Sequence, residues 1–588
     1  MSTAIVTGSP VPGSSLEGDL RGLGFDVRFA PDPAAAEEAL AAVPGEQRVA
    51  VVDAGFVGHV HALRLGLTDP RFPASAIPGA LTAQPAARQA LTRAVARTGV
   101  DPDVVAKSLE ADGTDVHRAE LGELVAAVPA DPQARNEARQ ALASVDDEAI
   151  RLRTAVKARD GFFTTYCISP YSRYIARWCA RRGLTPNQVT TASLLVAVIA
   201  AACAATGTRG GFVAAGVLLL ASFVLDCTDG QLARYSLQYS TMGAWLDATF
   251  DRAKEYAYYA GLALGAANAS GDDVWALALG AMVLQTGRHV IDFSFNEANH
   301  DAEANTSPTA SLSGKLDSVG WTVWARRMVV LPIGERWALI ALFTALTTPR
   351  ITFYMLLIGC ALAACYTTAG RVLRSLTRRA RRTDRAAQAL RDLADSGPIA
   401  ELVGRTLKAK AAPVVAAVGA VAVVAVSGLT DFGSVWPIVA AAVYCITSGL
   451  AVARPLKGAL DWLVPPIFRA AEYLTILVLA ARADVQGALP AAFGLVAAVA
   501  YHHYDTVYRI RGDAGAPPHW LVRAIGGHEG RTLVVTVLAA LFTPTDFTVA
   551  LTALAVVVAL VVLAESIRFW VASAQRGAPA VHDEGEPA

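Results

Sequence analysis

Apolar stretches of membrane-spanning length recur twelve times after residue 187, and they restrict most of this chain to a helical bundle in a bilayer. They fall near residues 188–206, 211–233, 244–268, 272–295, 335–349, 351–375, 411–429, 435–453, 463–482, 485–506, 531–545 and 547–570. Only 17% of the 588 residues are charged and 54% are hydrophobic, against about 25% charged in a soluble protein. A wholly soluble or disordered chain is excluded. The 51 basic and 51 acidic residues cancel, so no electrostatic case exists for a nucleic-acid partner. The seven cysteines form no C-x-x-C pair and mostly sit in apolar runs, which reads as small buried hydrophobes.

Basic residues fall in alternate loops: Arg234; Lys315, Arg326 and Arg327; Arg371 and Arg374; Arg454 and Lys457; Arg509 and Arg511. The opposite loops hold only Arg209, Arg350 and Arg482 near their edges. The expectation is a multi-pass cell-membrane protein with both termini in the cytoplasm.

Ahead of the spans, residues 1–100 read as a cytosolic α/β domain, with strand-like AIVTG and RVAVVDAG separated by helical runs. The alternation predicts a small parallel sheet. Met1 to Ser9 is strand-like and not a basic leader before an apolar core. Residues 101–160 read as a helical connector, 161–380 as a first membrane domain and 381–405 as a basic cytosolic linker. Residues 406–575 read as a second membrane domain and 576–588 as a disordered tail. In 162–182, Tyr166, Tyr171, Tyr174 and Trp178 alternate with Arg173, Arg177, Arg181 and Arg182, a mixture suited to a helix lying in the membrane interface.

The chemistry lies in DCTDGQLARYSLQYSTMGAWLDATFD, residues 226–251. Asp226 and Asp229 are spaced i, i+3, and Asp247 and Asp251 are spaced i, i+4, so each pair shares a helix face. The link between them is short, which makes the two helices antiparallel neighbours. Four carboxylates in apolar helices are costly unless neutralised, and hard divalent cations are their natural partners. Two such ions can clamp a transferring phosphoryl group, while one carboxylate takes a proton from an attacking hydroxyl. Gly230, Ala233 and Gly243 remove bulk where a nucleotide or a helix approaches, and Arg234 offers a fork of donors to phosphate.

The string fits D-x-x-D-G-x-x-A-R-x8-G-x3-D-x3-D throughout and resembles the signature of the CDP-alcohol phosphatidyltransferases, membrane enzymes that release CMP from a CDP-linked donor. The resemblance covers roughly residues 157–380. It implies a six-helix phosphotransferase bundle within a mainly α polytopic fold. It also implies metal ligation by Asp226, Asp229, Asp247 and Asp251, with Asp251 also as catalytic base, and two Mg²⁺ or Mn²⁺ ions. The nucleotide would lie on Gly230, Ala233 and Arg234. LTPNQVT (184–190) resembles the family's first-span segment, implying that Pro186 and Asn187 touch the nucleotide; capping of that helix is the plainer reading. The implied partners are a CDP-linked lipid or polyol donor, an alcohol or polyol-phosphate acceptor, membrane lipids and a second copy in a homodimer.

KARDGFF (157–163), with Ser169 and Ser172, resembles the inositol-phosphate-using branch, which points to CDP-diacylglycerol and an inositol phosphate in phospholipid biosynthesis. Some of that branch carry a nucleotidyltransferase domain ahead of the membrane. Here GSPVPGSS (8–15) is only a turn and no G-x-G-x-R-like loop is present, so the domain reads as degenerate or unrelated. A soluble CDP-polyol donor and a twelve-span transporter are the competing readings. His289 with Asp292, and Arg326, Arg327, Glu335 and Arg336, are candidates for the acceptor pocket.

The second half echoes the first. SFVLDCTDGQLAR aligns with VYCITSGLAVAR, DRAKEY with FRAAEY, His289/Asp292 with His502/Asp505, and GERWALIALFTAL with EGRTLVVTVLAAL, at offsets of about 220, 217, 213 and 195 residues. Ser448 stands opposite Asp229 and Phe468 opposite Asp251. A duplicated six-helix unit whose second copy holds no metal is the expectation, with Arg469 and Glu472 as a mutual pair.

Overall fold

The computed structural model describes residues 2–157, 160–300, 328–377, 381–406, 409 and 411–575. Arg326, Arg327 and the tail 576–588 lie outside them.

The amino-terminal domain is a six-stranded sheet in the order β2-β1-β3-β6-β5-β7, from β1 (Ser2–Thr7), β2 (Phe25–Ala30), β3 (Val49–Asp53), β5 (Ala74–Ile77), β6 (Ala80–Ala83) and β7 (Val116–Arg118). A separate ribbon pairs β4 (Val57–Gly58) with β8 (Ala126–Ala127). Ile5, Val49 and Val51 pack into one core and Ala4, Val6, Ala50 and Val52 into the other, so both faces are covered, as a continuous apolar strand requires. The predicted parallel sheet is corrected to a mixed one, because β6 runs antiparallel to both neighbours. Only Pro78 and Gly79 separate β5 from β6, and two residues can join only antiparallel strands; Gly79 takes φ +76° there. The domain also extends past residue 100, since β7 pairs with β5.

Helices α1 (Leu16–Gly22), α2 (Pro33–Ala41), α3 (Val60–Leu67), α4 (Arg88–Thr98) and α5 (Pro102–Ala111) cover the sheet, and α6 (Pro132–Ser144) and α7 (Asp147–Thr154) lead away from it. The interfacial segment forms α8 (Ser169–Arg181), with Tyr166, Tyr171, Tyr174 and Trp178 exposed.

All twelve apolar stretches are helical. The first six are α9 (Pro186–Ala205), α10 (Arg209–Ser236), α11 (Thr241–Ser270), α12 (Trp275–Asn299), α13 (Ile333–Leu346) and α14 (Pro349–Thr377). Next, α15 (Asp384–Ala394) and α16 (Pro398–Thr406) fill what the sequence reads as a linker. Ala386, Leu390 and Leu393 are buried, so this segment is part of the folded second half. The remaining helices are α17 (Ala412–Leu429), α18 (Trp436–Val452), α19 (Val464–Arg482), α20 (Ala488–Arg511), α21 (His519–Ala524), α22 (Gly527–Leu541) and α23 (Pro544–Gln575). Among the described residues, six candidate spans (α9, α10, α14, α17, α19 extended back to Asp461, and α23) are long and apolar enough to cross a membrane. Among the others, α11, α12 and α20 are long but carry buried charge, while α13, α18 and α22 are short.

Packing partners repeat between the halves. Helix α9 lies against α10 and α11, α8 against α10, α10 against α13 and α12 against α14. In the same relative places α17 lies against α18 and α19, α16 against α18, α18 against α22 and α20 against α23.

Candidate metal centre and substrate cleft

Helix α10 ends in a left-handed Leu237 (φ 52°), whose N–H returns to the Ala233 carbonyl. The Gln238 N–H reaches the same carbonyl at 3.0 Å, a closing motif that terminates helices. Ser240 then caps α11 by accepting the Gly243 N–H at 2.9 Å. The chain therefore reverses within four residues, and the acidic end of α10 faces the acidic start of α11.

Asp226, Asp229 and Asp247 each place a carboxylate oxygen within 4.8 Å of the other two. Among the described residues this is the one group of three or more metal-type side chains so placed. Asp229 is only 4% exposed, and its Oδ2 is buried without a hydrogen-bond partner. A buried, unsatisfied carboxylate oxygen carries a large desolvation cost, and a cation against it removes that cost. The donor set is all oxygen, which suits Mg²⁺ or Mn²⁺.

Asp251 joins the group through Lys254, which sequence reasoning missed. The fully buried Lys254 Nζ contacts Asp226 Oδ1 and lies 3.3 Å from Asp251 Oδ1. Its spacing of three from Asp251 and seven from Asp247 puts it on the acidic face, a signal legible in hindsight. One ammonium thus bridges a carboxylate of α10 and one of α11.

The glycines differ in what they make room for. A Cβ on Gly230 would meet only the Arg234 guanidinium, at 3.5 Å, so no helix presses there and the space beside the metal group is open. Gly243 sits against Asn187, whose Oδ1 would lie 2.9 Å from a Cβ. The capping reading of Pro186 and Asn187 is corrected in part: Thr185 is the N-cap, boxed with Gln188, and Pro186 is the first helical residue. Asn187 is thus left to face Gly243.

Beside Arg234 opens a cleft of about 700 Å³ lined by Arg153, Lys157, Thr165, Ser169 and Arg173 as well as Arg234. Four cationic side chains around one opening suit a phosphorylated ligand. Ser172 donates to Gln231 Oε1 at 2.8 Å, and Gln231 donates to Ser169 at 3.4 Å, which ties α8 to the motif helix. Arg234 Nε donates to the Ala155 carbonyl at 2.6 Å. Arg151 Nε donates to the Tyr235 carbonyl at 2.8 Å and its guanidinium covers the Tyr235 ring at 3.5 Å. The connector is therefore anchored on the motif itself.

His289, Asp292, Glu335 and Arg336 do not line this cleft. His289 is buried, with Nδ1 2.6 Å from the Tyr504 hydroxyl and Nε2 2.9 Å from Gln285. Arg336 is buried and grips Glu255 through Nε (3.0 Å) and Nη2 (3.1 Å). Asp292 pairs with Arg371. Glu335 accepts the Phe163 N–H at 3.2 Å.

Residues 183–365 match the family model of CDP-alcohol phosphatidyltransferase. The chain carries a CDP-alcohol phosphatidyltransferase domain. Over 171 residues, 28% of the chain, it is 29% identical to the "Bifunctional IPC transferase and DIPP synthase" of Thermococcus kodakarensis, covering 37% of that protein. Over 114 residues, 19% of the chain, it is 32% identical to the protein of the same name from Aquifex aeolicus, covering 26% of it. Over 91 residues, 16% of the chain, it is 34% identical to the "Archaetidylinositol phosphate synthase" of Pyrococcus horikoshii, covering 47% of it. The chain thus spans about a quarter to a half of the length of these curated relatives. Residues 384–588 match a family of unknown function, DUF5941, whose first residue is the start of α15.

Proposed function

We propose that the chain transfers a substituted phosphate from a CDP-linked donor, CDP-diacylglycerol or a related CDP-lipid, to an alcohol such as an inositol phosphate, releasing CMP. The observation that carries this reading is the convergence of Asp226, Asp229 and Asp247 around the orphaned Asp229 Oδ2, beside the open space at Gly230. One relative is an archaetidylinositol phosphate synthase by name, which supports an inositol-phosphate acceptor. Transport gains no support from the site.

Asp226, Asp229, Asp247 and Asp251 would hold Mg²⁺ or Mn²⁺, which when bound offsets diphosphate charge and polarises its oxygens. Arg234 steadies a phosphate at the mouth of the cleft, and Gly230 and Ala233 leave room for the nucleotide against α10. Pro186 and Asn187, at the start of α9, border the same space through Gly243. The acceptor hydroxyl attacks the phosphorus distal to cytidine; its proton passes to an Asp251 carboxylate oxygen. The new O–P bond forms as the bond to CMP breaks, and CMP leaves with the electron pair. Arg153, Lys157 and Arg173 hold the acceptor's own phosphate in the cleft. His289 and Arg336, engaged elsewhere, support the bundle.

All twelve helices cross the bilayer in this reading, with both termini on the cytoplasmic side. The connector docks at the acidic end of α10, and the basic loops lie at that end. The test is CMP release from CDP-diacylglycerol by the full chain in vesicles, with inositol phosphate and Mg²⁺. The reading expects release that needs both additions. It fails if CMP appears at the same rate without a divalent ion, or if no alcohol or polyol phosphate supports release.

A further inference from the structure

The two halves touch in a reciprocal pattern. Helix α12 of the first half packs on α19 of the second, and the helices in their matching places, α20 and α11, pack on each other. Helix α12 also meets its own counterpart α20. These pairs exchange when the units are exchanged, as a twofold, isologous interface requires, while the contact of α11 with α23 has no comparably extensive counterpart between α19 and α14. The side chains that hold each half together repeat as well. Arg336 grips Glu255 and Arg531 grips Glu472, at 2.5 and 3.2 Å. Glu335 caps the Phe163 N–H, and Glu529 accepts the Gly397 and Ala400 N–H groups at 3.0 and 3.1 Å.

The acidic positions do not repeat. Cys445, Ser448, Val464 and Phe468 stand where the offsets place Asp226, Asp229, Asp247 and Asp251. Phe468 stacks on His528 with ring centroids 4.1 Å apart, and the second half shows no metal-type triad among its described residues.

We infer that the carboxyl-terminal half is a built-in partner protomer, a metal-free counterpart of the catalytic unit that packs on its α11–α12 face. The chain is a pseudo-dimer with one metal centre. The seam is aromatic and closed: Trp245 stacks on Trp570 at 5.7 Å and Trp275 meets Phe493 edge-on at 5.6 Å. Tyr504 bonds His289 and lies 5.1 Å below the Arg252 guanidinium. Arg252 adjoins Asp251 in the chain, so the second half reaches the catalytic helix itself. Covalent attachment keeps this face filled at any protein concentration.

The mass of the unmodified full chain in a nanodisc or detergent micelle, read by native mass spectrometry, tests this independently of any substrate. One copy, 61.5 kDa, is expected. A photo-crosslinking amino acid in place of Trp570 should join α23 to α11 within one chain, leaving the gel band at the single-chain mass. A two-chain band linking α23 of one copy to α11 of another overturns the inference, as does a two-copy mass. If the substituted chain fails to accumulate, the native mass decides alone.

Discussion

The two membrane halves share a packing plan and differ in what fills its centre. Near the α10–α11 turn the first half gathers carboxylates, one lysine and open space. At the matching place the second half has a serine, a valine and an aromatic stack. Its charges have moved to a closed knot. Asp395 meets Arg469 at 2.9 Å, Arg531 at 2.8 Å and His502 at 3.1 Å, and Glu472 pairs with both arginines. In the knot Asp395 and Glu472 each meet arginines within the protein, whereas Asp229 in the first cluster keeps a buried oxygen without a hydrogen-bond partner. That contrast separates a scaffold from a site: similar helices, and a ligand is implied where gathered carboxylates keep a buried oxygen unbonded.

The sharpest way to break the comparison is to remove the base on one side and, on the other, the serine that stands opposite Asp229. Asp251→Asn should lower CMP release by about 10²–10⁴-fold, while Ser448→Ala leaves it unchanged within a factor of two. Equal losses would erase the functional difference between the halves.

Next in size is the knot. Asp395→Asn leaves the buried Arg469 and Arg531 to share Glu472 and should cost about 3–5 kcal/mol, read as a lower unfolding midpoint. The pH dependence has a definite sign. Burial alone would raise the Asp395 carboxyl, but Arg469, Arg531 and His502 hold it well below the usual carboxylate range. Its stabilising contribution is therefore complete above the unfolded value near pH 4 and is lost as pH falls through the folded one. The wild type should lose stability on acidification more steeply than Asp395→Asn, and identical slopes would exclude this assignment.

The matched glycines sharpen the contrast at smaller amplitude. A Cβ on Gly449 would lie 2.6 Å from Val403 Cβ and 2.7 Å from the Ala400 carbonyl, so Gly449→Ala should destabilise by about 1–3 kcal/mol with little change in KM. Gly230→Ala should keep the midpoint and raise KM for the CDP-linked donor about tenfold, equivalent to about 1.4 kcal/mol. A reversed pattern would place the ligand space in the wrong half.

The smallest effect lies in the amino-terminal domain. Burial, with Arg64 and His59 nearby, lowers the His61 pKa to about 4. The fold thus keeps the ring neutral, and its stability should fall between pH 6.5 and 4 as the unfolded chain takes up protons. His61→Gln should flatten that slope in a thermal melt.

How much of this is legible in the chain follows from range. Helix periodicity, the Asp226–Asp251 spacing and the Arg469–Glu472 pair are local, and the twelve helices form where the apolar runs predict. Lys254 hides because a lone lysine among apolar residues carries no spacing signal until its partners are in place. Asp395 reads as linker charge because its partners lie 107 and 136 residues away. Strand β6 is four residues, ALTA, too short to announce an antiparallel turn. His289 and Arg336 look like acceptor contacts for the reason that makes them structural: buried polar groups in helices need partners, and only the fold reveals that Tyr504 and Glu255 supply them.

Binding of Mn²⁺ to the full chain, followed by loss of the free-ion electron paramagnetic resonance signal, tests the central claim most directly. The wild type should take up ions, Asp229→Asn should take up none in the same range, and Asp395→Asn should bind as the wild type does. Undiminished uptake by Asp229→Asn would contradict the assignment of the metal centre to the first half.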